Sequence, residues 1–216
     1  MSQDVIENTR LYVERELSGE ASGHDYWHVY RVWKNAVAIG REEGADLHIV
    51  QLAALLHDIA DYKLNGGDHD IGPQKARAWL ESQHVDTDSI EHIIEIMRGL
   101  DFKGANTTTA MRTLEGRVVY DADKLDAIGA IGIARAFAYG GTKGRVLHDP
   151  NAPPLLHASF EEYKNAKGTT INHFYEKLLL LHDRMLTDAG KRMAKERHAY
   201  MDGFVSKFLS EWEGKA

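Results

Sequence analysis

The run Leu52-Ala53-Ala54-Leu55-Leu56-His57-Asp58-Ile59-Ala60-Asp61 is an apolar stretch suited to burial that ends abruptly in an imidazole and a carboxylate. Burying either group without a partner is expensive, so the ending needs a cause. A divalent metal at the edge of the core is one, because neutral imidazole and carboxylate are both good ligands for borderline divalent ions. The plainer alternative is a helix whose polar last turn simply meets solvent. On a helix continuing to about Ala60, Asp61 stands at i+4 from His57 and i+3 from Asp58, overlooking the same face.

Two distant segments carry similar chemistry. Upstream, in Gly23-His24-Asp25-Tyr26-Trp27-His28-Val29-Tyr30-Arg31-Val32, helical spacing puts His24, His28 and Arg31 on one face. Downstream, in Val118-Val119-Tyr120-Asp121-Ala122-Asp123-Lys124-Leu125-Asp126-Ala127-Ile128-Gly129, three acids interrupt an apolar helix. The small residues of Ala130-Ile131-Gly132-Ile133-Ala134 follow, and they let helices approach closely. An acid directed into that core needs a cation. A solvent-facing acidic stripe accounts for one or two of the three acids but is awkward for all.

Helical periodicity dominates the rest. It predicts helices over Val5 to Leu17, from after Gly23 to near Gly40, from Leu47 (capped by Asp46) to about Ala60, and over Gln74 to Gln83 with Pro73 in the first turn. Ser89 to Leu100 follows, capped by Asp86 or Thr87, then a long helical region from about Thr108 to Tyr139 with a break near Gly116 or Gly129. The glycine- and proline-rich segment Gly140 to Pro154 reads as an ordered surface loop or a lid. Two last helices span about Thr170 to Asp183 and Thr187 to Trp212. No segment alternates with period two between hairpin turns. The expectation is a single all-α domain over 1–216, a compact helical bundle, with a motif region at about 20–140 and a C-terminal helical extension at about 155–213.

Composition narrows the function. A formal charge of −7 argues against stable nucleic-acid binding, which relies on excess Lys and Arg. It leaves room for a small phosphorylated substrate, because a metal and a few cations reverse the field inside one pocket. The chain has no cysteine, so any metal is held by nitrogen and oxygen. No apolar run approaches the roughly 18 residues of a membrane span. The acidic Met1-Ser2-Gln3-Asp4-Val5-Ile6-Glu7 lacks the apolar core of a signal peptide. Together these lead to the expectation of a cytoplasmic protein with no membrane partner. Phe204, Phe208, Leu209 and Trp212 of the final helix either pack inward or form the face of a homodimer, packing being the first expectation.

An isolated His, a His-Asp doublet and a distant Asp, all on helices, resemble the HD-domain phosphohydrolase superfamily. The stretches His24 to Val32, Leu52 to Lys63, Val119 to Phe137, Tyr139-Gly140-Gly141 and His173 to Leu178 resemble small stand-alone bacterial HD hydrolases, which include nucleotide pyrophosphohydrolases. The Asp121 to Gly132 segment is the most specific of these.

The resemblance implies an α bundle in which His28, His57, Asp58 and Asp123 bind one divalent ion. Two imidazoles and two carboxylates suit Mn²⁺, Fe²⁺, Co²⁺ or Ni²⁺ better than Mg²⁺, with Mn²⁺ preferred. Such an ion lowers the pKa of a bound water and neutralises charge on a phosphoryl oxygen. Related hydrolases often carry Glu three positions after the doublet's Asp, where this chain has Asp61. Asp61 is therefore the expected general base or water-orienting residue, and Lys124, beside Asp123, the expected catalytic cation. Arg31, Lys63, Lys143 and Arg145 are the expected phosphate-binding residues, the last two on the glycine-rich loop. His69, His84 and His92 fall outside any matching binuclear motif, so a single metal is expected. The implied reaction is metal-dependent hydrolysis of a small nucleotide, with (deoxy)nucleoside triphosphate giving monophosphate and pyrophosphate. The alternatives are a 5′-nucleotidase acting on monophosphates, a cyclic-nucleotide phosphodiesterase, and a non-catalytic module that holds a metal and a ligand without turnover.

Overall fold

A helix that is apolar around its whole circumference has to be covered on every side. α3 (Leu47–Leu56) comes close to this: Ile49, Val50 and Leu52 through Leu56 are all buried, and only the half-buried His48 and Gln51 interrupt its apolar surface. The computed structural model describes residues 2–18, 25–60, 70–100, 111–155 and 168–215, and every regular element among them is a helix. The protein is all-α. None of these helices is long and apolar enough to cross a membrane.

The described residues form two compact units, one holding those up to Asp123 and the other those from Lys124 onward. The expected motif region at 20–140 spans both, and the expected C-terminal extension falls in the second. In the first unit, α1 (Ser2–Glu16), α2 (Tyr26–Glu43) and α5 (Thr87–Leu100) cover α3, and α4 (Ile71–Ser82) packs on α5. The Tyr12 and Trp79 rings stack at 4.1 Å, and the Trp79 indole donates to Thr9 Oγ1 at 2.9 Å, tying α1 to α4. α6 (Leu114–Asp126) begins in this unit with Val118, Val119 and Tyr120 buried.

Local chemistry sets the helix ends. Asp46 caps α3 through the amides of His48 and Ile49, as the sequence predicts. Asp86 accepts from the Ser89 amide at 3.0 Å, so of the two candidate caps before α5 the aspartate serves. α2 runs past Gly40 and stops at Gly44, whose φ of 73° is the left-handed conformation that ends helices. α3 ends sooner than predicted, at Leu56 rather than about Ala60, and the doublet sits in the turn just beyond it. Asp61, expected on the same face as His57 and Asp58, lies outside the described residues.

In the second unit the long predicted helix breaks at Ala127-Ile128, giving α6 and α7 (Gly129–Thr142). Gly129 has φ 75°, whereas Gly116 lies buried inside α6 and causes no break. The expected Thr170 to Asp183 helix divides into α8 (Thr170–Glu176) and a 3₁₀ turn (Leu178–Arg184), separated at Lys177. α9 (Asp188–Trp212) packs against α7 and the 3₁₀ turn. Phe204 and Phe208 of α9 meet Phe137 of α7 and so pack within the unit, whereas Trp212 stacks on Phe208 but stays 45% exposed. The segment after α7 is ordered against α8, whose Thr170 and Ile171 amides donate to the Val146 and Leu147 carbonyls at 3.0 Å.

Burial of His173 on α8, with the charges of Lys177 and Arg145 adding to it, lowers its pKa to about 3. The folded protein thus leaves unbound a proton that the unfolded chain takes up below about pH 6.5. Stability is full above that pH and falls as pH drops from 6.5 toward 3, at about 1.4 kcal/mol per unit. Urea unfolding at pH 7.5 and pH 5.0 should show a loss of about 2 kcal/mol from this group. His173→Gln should remove that portion, and an unchanged pH dependence in the variant refutes the assignment.

Candidate metal centre

His28 occupies the first turn of α2, where the Asp25 carboxylate accepts from the His28 amide at 2.9 Å and holds the turn in place. Its imidazole is only 2% exposed. His57 directly follows α3, and its Nδ1 lies 2.8 Å from the Ala54 carbonyl. A carbonyl can only accept, so Nδ1 carries the proton and Nε2 presents a lone pair. That Nε2 is buried and takes part in no hydrogen bond. The two imidazoles meet edge to face, with ring centroids 5.3 Å apart.

The carboxylates close the cluster. Asp58 Oδ2 lies 3.5 Å from both His28 Nε2 and His57 Nε2, and Asp123 Oδ1 lies 3.6 Å from His28 Nε2. One donor atom from each of His28, His57 and Asp58 falls within 4.8 Å of the others. Ligands at about 2.0–2.2 Å from one ion are themselves roughly 3–4.4 Å apart, so these separations suit a shared cation. The orphaned Nε2 of His57 and the two facing carboxylates supply the donors and negative charge that a divalent ion requires. Both carboxylates are partly open, at 22% and 24% exposure, which leaves the centre accessible at the edge of the core. The donors of His28, His57 and Asp58 fit a borderline divalent ion, with the Asp123 carboxylate beside His28.

The other predicted residues lie in several places. Arg31 is half-buried on α2, one turn beyond His28. Lys124 is half-buried beside Asp123 in the last turn of α6. Lys143 and Arg145 come together around the Tyr139 ring, at 5.6 and 5.8 Å from its centroid, in the second unit. Asp61, Lys63 and His69 lie outside the described residues. His84 is exposed, and His92 bonds Thr113 Oγ1 at 2.9 Å, so neither joins the cluster. Sequence reasoning passed over two supports: Asp25, signalled by its place ahead of the helix, and the Ala54 carbonyl, which no side-chain pattern signals.

Buried Asp126 is paired with Arg135, while Asp121 is fully buried. The acids of α6 therefore do not form a solvent-facing stripe.

These features match a known family. The HD domain family matches residues 26–128. YpgQ of Bacillus subtilis is 36% identical over 216 residues, covering 96% of this chain and 94% of its own. The crystal structure of an HD-superfamily hydrolase from Bacillus thuringiensis is 41% identical, with full coverage of both chains and a TM-score of 0.81. The crystal structure of B. subtilis YpgQ in complex with ADP is 32% identical, covering 97% of this chain and 95% of that one, with a TM-score of 0.74. The chain belongs to the HD-domain family and is a hydrolase of phosphoric-ester or phosphoanhydride bonds. HD domains bind a divalent metal, and the His28, His57 and Asp58 cluster is suited to one.

Replacing His57 tests the candidate set without recourse to activity. His57→Ala should retain its helical circular dichroism while Mn²⁺ affinity, read by calorimetry, falls by more than the roughly 10–100-fold that outer-shell changes cost. Wild-type affinity in this variant removes His57 from the site.

Proposed function

We propose that the protein hydrolyses nucleoside triphosphates, including deoxy forms, to nucleoside monophosphate and pyrophosphate. The observation that carries this is the partly open cluster of two imidazoles and two carboxylates around His28 Nε2. The ADP complex of YpgQ supports a nucleotide as the substrate class. Manganese is the proposed ion, on the chemistry of the donor set.

His28, His57, Asp58 and Asp123 would hold the ion, which when bound supplies Lewis-acid polarisation of a phosphoryl oxygen and a water of lowered pKa. Asp61 accepts the proton of the attacking water as its oxygen bonds to the α-phosphorus. The bond from that phosphorus to the bridging oxygen breaks, and pyrophosphate departs with the electron pair. Lys124 offsets the charge accumulating at the α-phosphoryl group. Arg31 and Lys63 bind phosphate oxygens, and Lys143 and Arg145, which meet around Tyr139 in the second unit, are themselves a candidate phosphate-binding pair.

Purified protein supplied with Mn²⁺ should release pyrophosphate, and no orthophosphate, from a panel of nucleoside and deoxynucleoside triphosphates. Asp61→Asn should lower kcat by about 10²–10⁴-fold. Orthophosphate released from monophosphates instead identifies a 5′-nucleotidase. No turnover of triphosphates or monophosphates overturns the nucleotide reading.

A further inference from the structure

Asp123 and Lys124 sit in the last turn of α6, which ends at Asp126. Helix ends leave carbonyls without intrahelical partners and tend to fray. A carboxylate that must hold a ligand to within about half an ångström needs that turn fixed. Two arginines from different helices converge on it. Arg197 of α9 donates from its guanidinium to the Leu125 carbonyl at 2.5 Å. Arg135 of α7 donates to the Asp126 carboxylate, which is 2% exposed, and reaches the Asp126 carbonyl at 3.4 Å. Cations at a helix C-terminus also oppose its negative dipole end.

The approach of Arg197 depends on the break between α6 and α7. Its aliphatic stem crosses Gly129, where an added Cβ would stand 3.0 Å from Arg197 Cγ and 3.1 Å from its Cβ. The positive φ of Gly129 turns the chain there, and its missing side chain gives the arginine its path. Burial disfavours the Arg197 charge and the nearby Asp126 carboxylate supports it. A guanidinium stays protonated under this burden, whereas a lysine readily loses its charge.

We infer that Arg197 is a positioning residue for the metal centre: with Arg135 it clamps the last turn of α6 and so fixes the direction of the Asp123 carboxylate. The inference rests on Asp123 being a metal ligand. It assigns Arg197, some 70 residues further along the chain, a part in metal affinity rather than in stability alone.

Mn²⁺ affinity of the full chain, titrated by electron paramagnetic resonance, tests it in four proteins. Arg197→Met keeps the stem over Gly129 and removes the donors, and it should weaken Mn²⁺ binding about 10–100-fold, as loss of an orienting partner does. Arg197→Lys, with one donor within reach of the carbonyl, should recover part of the affinity. Phe204→Ala, which loosens the aromatic packing of the same unit, should leave the Kd within about twofold of wild type. Wild-type affinity in Arg197→Met overturns the inference. So does a Phe204→Ala variant that loses Mn²⁺ as strongly as Arg197→Met, because general destabilisation then accounts for both. Wild-type protein that binds no Mn²⁺ overturns the ligand set, and the inference falls with it.

Discussion

The Ala54 carbonyl stands 2.8 Å from Nδ1 of His57 and can only accept. That single contact fixes the tautomer of a buried ring and directs its other nitrogen, as a lone pair, at Asp58 and the His28 ring. It forms just past the end of α3, a largely apolar helix whose last five residues are all buried. Leaving such an acceptor buried and unmatched costs about 1–3 kcal/mol, which a bound cation offsets. The carboxylates of Asp58 and Asp123 add the negative charge that makes a cation the suitable partner.

The acids of this chain divide by what they face. Asp126 is buried against the guanidinium of Arg135, a permanent cation that matches a carboxylate in shape and charge. Asp58 and Asp123 face imidazole nitrogens at 3.5 and 3.6 Å. A neutral imidazole is itself an electron-pair donor, so an acid beside it shares an interest in the same ion. Two aspartates three positions apart on α6 thus acquire different work, one holding the helix end and the other facing the centre.

Much of this was legible in the sequence. The His-Asp doublet ending an apolar run marked the edge of the core, and period-3.6 patterning located most helices. Asp46 and Pro73 marked helix starts as expected, because capping and proline geometry are local. The misplaced boundaries have longer-range or subtler causes. α3 stops at Leu56, and in the turn beyond it the His57 ring bonds back to the Ala54 carbonyl, a contact that no local pattern signals. The helix expected over Thr170 to Asp183 divides at Lys177, which no glycine or proline signals. Of the two glycines offered as the break before α7, only Gly129 adopts a positive φ, and sequence could not separate them. The pairing of Arg135 with Asp126 was also hidden. Sequence showed that a buried acid there needed a cation, yet not which of many arginines would supply it.

The central claim is that His57 Nε2, His28 Nε2 and the carboxylates of Asp58 and Asp123 converge on one divalent ion. Anomalous diffraction from crystals grown with Mn²⁺ tests it most directly. One strong peak bonded to these four side chains at about 2.0–2.3 Å is expected, with His57 Nδ1 still donating to Ala54. A peak held by other residues, or one bonded to Nδ1 of His57, contradicts it.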